Sequence, residues 1–184
     1  MRIGFIGLGN VGGKLANNLL NNNFQITVLD KKSKLMNEFK LKGAKIAKSV
    51  KDIVINSDIL ITCLPSPKVC AEVLECEDGI IDSIQKEQIW IEMSTTDDDQ
   101  LKKHASLIQQ KDAIALEAPV SGGCHRAATG NISIFVGGNR KGFEIALPVL
   151  KCLGRKILYT GDFGSASVLK VITNYLATVH LVAL

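Results

Sequence analysis

The sequence predicts an α/β fold in which a doubly wound, mainly parallel sheet is followed by a long C-terminal helix. Three observations lead there: a glycine motif between an apolar run and a helical pattern, an alternation of strand and helix signals, and a strongly apolar final segment. With 184 residues and 46% hydrophobic content, the chain can bury one sizeable core. We therefore expect one domain over residues 1–164 and the start of a long helix over 165–184.

The glycine motif follows the first apolar run, residues 3–6, and has the spacing Gly7-x-Gly9-x-x-Gly12. Gly7 permits a tight turn, Gly9 lets backbone amides approach a pyrophosphate, and Gly12 lets helix and strand pack closely. A strand before the motif and a helix after it make the assignment more specific than the motif alone. The sequence thus predicts a dinucleotide-binding turn of Rossmann type. Its cofactor-binding residues are predicted to be Gly7, Leu8, Gly9, Asn10, Val11 and Gly12.

The second predicted strand, residues 25–30, ends in an acid, Asp30. An acid at this place accepts hydrogen bonds from the adenosine ribose and repels a 2′-phosphate, which favours NAD over NADP. Alternatively, Asp30 only caps a turn before Lys31 and Lys32. The two lysines keep NADP as the less favoured cofactor.

Strand and helix signals alternate along the rest of the first domain. Further strands are predicted at residues 58–64, 88–93, 113–116, 132–136 and 156–159, and helices at 34–42, 49–56, 97–111 and 141–153. In parallel sheets, ligands bind beyond the carboxyl ends of the strands. Leu64-Pro65 and Ser94-Thr95 are therefore expected near the cofactor, although Pro65 could simply end its strand.

The final segment, residues 165–184, is apolar on nearly all sides of a helix and lacks a stop signal. A helix of this kind needs burial on all sides. The simplest interpretation is a longer helix whose packing partner lies beyond this sequence or in another subunit.

Charge and cysteine usage exclude several classes of function. The net charge of +4 is mild, and the lysines of residues 31–51 are interleaved with acids and apolar residues, so no nucleic-acid partner is expected. Five cysteines without a CxxC pair indicate a reducing compartment and no structural metal. Because the first strand starts next to residue 2, no secretory or transit segment is expected, and the predicted location is cytoplasmic. No apolar run before the C-terminal segment is long enough to span a membrane.

Two stretches of the second half carry further chemistry. Residues 118–123 form a small-residue turn whose free amides and Ser121 hydroxyl suit a carboxylate. A glycine turn at 161–164 opens the final helix, on which Lys170 and Asn174 lie four residues apart and share one face. The plainer alternatives are an ordinary tight turn and a surface lysine with a solvated neighbour.

With these motifs in this order, the sequence resembles the β-hydroxyacid dehydrogenase family over essentially its whole length. The motifs are Gly7-Leu8-Gly9-x-x-Gly12, Leu64-Pro65 with Ser94-Thr95, Pro119-Val120-Ser121-Gly122-Gly123, and Lys170-x-x-x-Asn174. The resemblance implies that Leu64, Pro65, Val69 and Thr95 line the cofactor and that Ser121, Gly122 and Gly123 bind the substrate carboxylate. It further implies Lys170 as general acid or base and Asn174 as the residue that holds the substrate in line.

The activity implied by the resemblance is hydride transfer between NAD(H) and a small 3-hydroxy acid or its semialdehyde. Three alternatives stay open: an NADPH-dependent reductase of glyoxylate or succinic semialdehyde, a non-catalytic dinucleotide-binding module, and a 6-phosphogluconate-type enzyme that uses Arg126 for phosphate. His125 and Arg126 either reach a second anionic group of the substrate or are simply exposed to solvent.

Family resemblance also has consequences for assembly. Family members carry a second, all-helical domain after the long helix, and it is absent from these 184 residues. The resemblance thus implies weak or no turnover for this chain alone. A homo-oligomer that forms through the C-terminal helix or the missing domain is expected, and a mitochondrial location would follow if a transit peptide had been removed.

Overall fold

A single mixed sheet organises the protein, whose computed structural model describes residues 1–183. Its strands are β1 Ile3–Ile6, β2 Ile26–Leu29, β3 Lys45–Ile46, β4 Ile59–Thr62, β5 Ile89–Glu92, β6 Ile114–Glu117, β7 Val120–Ser121, β8 Ser133–Gly138 and β9 Lys156–Gly161. The helices are α1 Gly12–Asn21, α2 Ser33–Leu41, α3 Val50–Ile55, α4 Pro67–Glu75, α5 Ile80–Ser83, α6 Asp98–Gln109, α7 Gly123–Ala128, α8 Arg140–Leu153 and α9 Ser165–Ala183.

Six parallel strands form the first part of the sheet in the order β3-β2-β1-β4-β5-β6. β8 then joins β6 in antiparallel orientation, and β7 and β9 both pair with β8. The chain builds outward from β1 to β3 and then returns to place β4 on the other side of β1. The predicted doubly wound, mainly parallel sheet is confirmed, and its strand order reverses between β1 and β4.

Both faces of the sheet are covered by helices, because alternate side chains of each strand point to opposite sides. On one face, Phe5 packs in a cluster with Leu15 of α1 and Phe143 of α8. On the other face, Leu60 and Trp90 pack with the helices α3 to α6. Burial of a large apolar side chain stabilises a fold by about 1.5–3 kcal/mol. The sheet is thus fixed from both sides, while its carboxyl edge is left to loops.

Five short elements differ from the expectations: α4, α5, α7, β3 and β7 were not predicted. In α4 the hydroxyl of Ser66 accepts a hydrogen bond from the Val69 amide, and Pro67 occupies the first helical position. Proline is well suited to that position because its missing amide hydrogen has no partner there anyway. The prolines after β4 therefore start a helix as well as ending the strand.

The last helix, α9, begins at residue 165 as predicted and is largely uncovered. Ala166 is buried, whereas Val171 and Tyr175 are each 67% exposed and Val182 is 82% exposed. By length and composition alone, with a mean hydropathy of 1.3, α9 could also cross a membrane, a property it shares with buried helices of soluble proteins. A domain boundary at residue 164 stays a prediction.

Candidate dinucleotide and hydroxy-acid site

A cleft of about 800 Å³ lies beyond the carboxyl ends of β1, β2 and β4, where the strand order reverses. Ligands of open α/β sheets bind at such a point. Predicted cofactor residues that line the cleft are Gly7, Gly9, Asn10, Val11, Gly12, Asp30, Leu64, Pro65 and Val69. Two others do not line it: the Leu8 side chain is buried in the core, and Thr95 is exposed.

The three glycines of the motif have different structural roles. Gly7 has φ +98°, and a Cβ there would lie 2.3 Å from the Cys63 carbonyl oxygen. A Cβ on Gly12 would lie 2.1 Å from the Gly7 carbonyl oxygen. By contrast, a Cβ on Gly9 would meet no described atom within 4 Å. Packing therefore requires Gly7 and Gly12, whereas Gly9 keeps clear a space at the edge of the cleft.

The first turn of α1 faces the cleft, and no side chain accepts a hydrogen bond from the backbone amides at its start. No side chain caps its N-terminus and the turn contains no acid, in contrast to α3 and α6, which are capped by Ser49 and Asp97. The amides of Gly13 and Lys14 already donate to the carbonyl oxygens of Gly9 and Val11, so the feature that favours an anion at this end is the helix dipole. Together with the open space at Gly9, this arrangement fits the pyrophosphate of a dinucleotide.

Asp30 lies at the end of β2 and is half-buried at the cleft. Its carboxylate accepts a hydrogen bond of 2.7 Å from the Leu8 amide and another of 2.8 Å from the Lys32 amide. The turn suggested as the alternative is thus present, and the same acid also holds the glycine loop. A contact with ribose hydroxyls stays a prediction.

A buried hydrogen-bond network supports the Leu64-Pro65 turn from below. The Leu64 amide donates to the Ser94 hydroxyl at 2.7 Å, and the Ser94 amide donates to Glu92 at 2.7 Å. Thr62 donates to the second oxygen of Glu92 at 2.8 Å while accepting from Trp90 at 2.9 Å. Complete burial raises the pKa of Glu92, although the hydrogen bonds from Ser94 and Thr62 oppose that shift.

The substrate loop predicted at Ser121, Gly122 and Gly123 follows β6, and its first residues pair with β8 as β7. Gly122 and Gly123 have φ values of +134° and +74° and are exposed, so their conformation favours glycine. The neighbouring His125 and Arg126 are exposed as well. The structure therefore presents the loop to solvent.

Lys170 reaches this loop from α9. Its half-buried amine donates a hydrogen bond to the carbonyl oxygen of Val120, and burial lowers the pKa of the amine below its ordinary value of 10.5. Asn174 lies one turn further along α9 and is exposed. The structure brings Lys170 and the loop together, but neither they nor Asn174 line the cleft between β1 and β4.

Two cysteines, Cys63 at the cleft and Cys70 of α4, carry weakly acidic thiols. Burial raises the pKa of Cys63 to about 12 and that of Cys70 to about 11, so both stay protonated at neutral pH. Among residues 1–183, no cluster of three or more His, Cys, Asp or Glu side chains could hold a metal ion.

Fold and cleft together define a dinucleotide-binding domain of Rossmann type. The chain belongs to the family of NAD-binding domains of 6-phosphogluconate dehydrogenase, whose family model matches residues 2–161. It is also similar over nearly its whole length to 3-hydroxyisobutyrate dehydrogenases, so the resemblance inferred from the motifs is confirmed.

Two relatives and one solved structure illustrate the similarity. The mitochondrial 3-hydroxyisobutyrate dehydrogenase of Rattus norvegicus is 34% identical over 98% of this chain and 54% of the relative. The 3-hydroxyisobutyrate dehydrogenase of Pseudomonas aeruginosa is 34% identical over 95% of the chain and 58% of the relative. The structure of the Mycobacterium tuberculosis 3-hydroxyisobutyrate dehydrogenase with L-serine has a TM-score of 0.91 at 27% identity, covering 99% of this chain and 62% of that one. This chain thus spans slightly more than half the length of the two curated relatives.

Proposed function

We propose that this chain binds NAD(H) and takes part in hydride transfer between that cofactor and a small 3-hydroxy acid or its semialdehyde. The observation that carries the proposal is the half-buried Lys170 amine, held against the 119–123 loop in a chain whose relatives are 3-hydroxyisobutyrate dehydrogenases. The M. tuberculosis relative was solved with L-serine, itself a small 3-hydroxy acid, which supports the choice of substrate class.

For the cofactor, the supporting features are the space at Gly9, the uncapped start of α1, and Asp30. When bound, the nicotinamide accepts or supplies the hydride. Asp30 favours NAD because its carboxylate repels a 2′-phosphate. Lys31 and Lys32 line the same cleft, so an NADPH-dependent semialdehyde reductase is the second candidate.

For the substrate, the amides and hydroxyl of Ser121, Gly122 and Gly123 hold the carboxylate. Oxidation needs a neutral Lys170, which takes the hydroxyl proton as the carbonyl forms. Reduction needs its ammonium form, which stabilises the developing alkoxide and then donates the proton. The buried surroundings of Lys170 favour the neutral form. In either direction Lys170 exchanges the Val120 carbonyl for the substrate oxygen, and Asn174 keeps that oxygen in line.

The test is made in a chimaera in which residues 1–183 replace the matching region of the rat relative, and it compares Lys170→Ala with Lys151→Ala, an exposed lysine of α8, as the matched control. Turnover of a panel of 3-hydroxy acids is followed by NADH formation, and NAD affinity is measured by calorimetry. Loss of a general acid or base lowers turnover by about 10²–10⁴-fold, with NAD affinity retained. Unchanged turnover in Lys170→Ala would remove the mechanism and favour a non-catalytic module.

We also propose that these 184 residues alone turn over weakly or not at all. The same assay is therefore run in parallel on the 184-residue chain and on the chimaera without the Lys170 substitution. Higher activity of the chimaera supports the proposal, and equal activity contradicts it.

A further inference from the structure

Glu117, at the carboxyl end of β6, is completely buried and does not line the cleft between β1 and β4. One of its carboxylate oxygens accepts hydrogen bonds from the amides of Gly164 and Ala166, each at 2.7 Å. The other oxygen accepts from the hydroxyl of Ser167. Gly164 lies directly before α9, and Ala166 and Ser167 lie in its first turn. A carboxylate at a helix N-terminus satisfies free amides and interacts favourably with the helix dipole.

A third element makes room for this carboxylate. A Cβ on Gly137 of β8 would lie 2.4 Å from the nearer oxygen of Glu117 and 2.9 Å from the Asp162 carbonyl oxygen. A side chain at residue 137 would therefore displace the acid or the turn before α9. The contact depends on β6, β8 and α9 together.

The segment that begins with β6 and the helix α9 contact each other a second time, at Val120 and Lys170. Glu117 and Val120 are three residues apart, and Val120 accepts the hydrogen bond from Lys170, which follows Ser167 by three residues on α9. Beyond its first turn, α9 has no buried residue up to Ala183. The contacts that hold α9 to the sheet therefore lie at its start, where Glu117 accepts three hydrogen bonds.

We propose that Glu117 is a positioning residue for Lys170, because it fixes the first turn of α9 to β6 and thereby places the Lys170 amine against the 119–123 loop. The inference rests on the proposed function. A lysine amine ends a long flexible side chain, so its location follows the position of the helix. Displacement of a reacting group by about 1 Å costs on the order of 100-fold in rate.

A different result is expected if Glu117 only caps α9 and does not position Lys170. Removal of the cap would then lower the stability of the fold, but it would leave the environment of the Lys170 amine unchanged. The direct readout is the pH profile of Lys170 modification, because burial is what lowers the pKa of this amine. A helix that loosens would return the amine to water and raise that pKa.

The experiment labels the 184-residue protein with trace acetic anhydride between pH 7 and 11 and quantifies the Lys170 peptide by mass spectrometry. In Glu117→Ala the midpoint should rise by about 0.5 pH unit or more toward an ordinary lysine. Glu117→Gln, which keeps an acceptor for both amides, should stay near the wild type. An unchanged profile in a folded Glu117→Ala, or an equally large shift in Glu117→Gln, would overturn the inference.

A milder pair of variants decides the matter if Glu117→Ala fails to fold. Ser167→Ala removes one donor to Glu117, whereas Ser165→Ala removes a hydroxyl of the same turn that bonds instead to Thr160 and Asp162. Only Ser167→Ala should shift the Lys170 midpoint. No shift in Ser167→Ala, or equal shifts in both, would contradict the inference.

Failure of this inference can be told apart from failure of the proposed function. The labelling profile needs neither cofactor nor turnover. If Lys170→Ala kept full activity while Glu117→Ala shifted the profile, the positioning would hold and the catalytic assignment would fall. If instead Lys170→Ala lost activity and Glu117→Ala left the labelling profile unchanged, Lys170 would keep its catalytic role and Glu117 would have no role in positioning it.

Discussion

The carboxylate of Asp30 is joined to the backbone amide of Leu8 by a hydrogen bond of 2.7 Å. Leu8 lies between the two glycines that open the cofactor turn, so the acid at the end of β2 stiffens the loop that follows β1. Hydrogen bonds to a charged group contribute about 1.5–3 kcal/mol each. Asp30 is thus expected to act twice, once on the loop and once on the ribose.

Replacing Asp30 with alanine should weaken NAD binding by about 10–100-fold, since a tenfold change corresponds to about 1.4 kcal/mol. Binding of NADP should fall less, because the repulsion of its 2′-phosphate disappears with the carboxylate. Calorimetric titration with both cofactors gives the ratio. An unchanged ratio would show that Asp30 serves only the turn.

Asp58→Ala is the matched control for that change. Asp58 also accepts a hydrogen bond from a backbone amide, that of Arg2 at 2.7 Å, but at the opposite end of β1. The Asp58→Ala variant should leave the affinities for NAD and NADP unchanged. A similar loss in both variants would indicate a general weakening of β1.

The two glycines Gly9 and Gly12 should respond differently to alanine. A methyl group at residue 9 meets no described atom, so Gly9→Ala should change the free energy of unfolding by less than about 0.5 kcal/mol while NAD affinity falls at least tenfold. Gly12→Ala places its methyl group against the Gly7 carbonyl and should destabilise the fold by about 1–3 kcal/mol. Urea unfolding and NAD titration of both variants check this, and equal stability losses would refute it.

Glu92 should make the stability of the protein depend on pH. Burial raises its folded-state pKa, so its protonated form stabilises the fold at low pH, and that contribution is lost as the pH rises through the folded-state pKa. Glu92→Gln should therefore be more stable than the wild type at pH 8, by about 1 kcal/mol, with the difference shrinking below pH 4. Urea unfolding at both pH values measures it. A constant difference would show that Glu92 does not titrate in this range.

Asp58→Asn provides a control of opposite sign. The hydrogen bonds from Arg2 lower the pKa of Asp58, so its contribution exists above the unfolded-state pKa and is lost as the pH falls. The variant should be less stable than the wild type at neutral pH and equal to it in acid.

The exposed apolar face of α9 bears on oligomerisation, which we predict to involve this helix. The double variant Val171→Glu, Tyr175→Lys places an ion pair four residues apart on that face and should shift the protein toward monomer in light scattering. Leu41→Glu, on a residue of α2 that is 90% exposed, is the control and should have no effect. An oligomer that persists in the double variant would exclude this face.

The central parallel strands β1, β4 and β5 could be predicted because each is a mainly apolar run whose residues are buried on both faces of the sheet. The burial of the acids that end β5 and β6 was not predicted, because a charged residue at the end of an apolar run is normally exposed. Glu92 and Glu117 are register partners, and their complete burial depends on donors from distant segments. The signal available in the sequence was an acid at the carboxyl end of each of two neighbouring strands.

Short elements were harder to predict for another reason. β3 spans two residues, Lys45–Ile46, and pairs only with β2, so its apolar pattern is too brief to be recognised. α7 starts at Gly123, within the predicted turn. Two glycines with positive φ lie at this start, and because such glycines are typical of turns, the helix could not be recognised from the sequence. Lys170 was found by its place in a motif, but its contact with Val120 depends on how β6 and α9 meet.

The two halves of the candidate site draw on separate parts of the sheet: the cleft on β1, β2 and β4, and the Lys170 loop on β6, β8 and α9. Under the proposed function, mutations that alter nucleotide preference and mutations that alter the acid recognised could thus accumulate independently. Such a division lets a lineage, or a protein engineer, retarget one half by recombination and selection while the other keeps its inherited specificity.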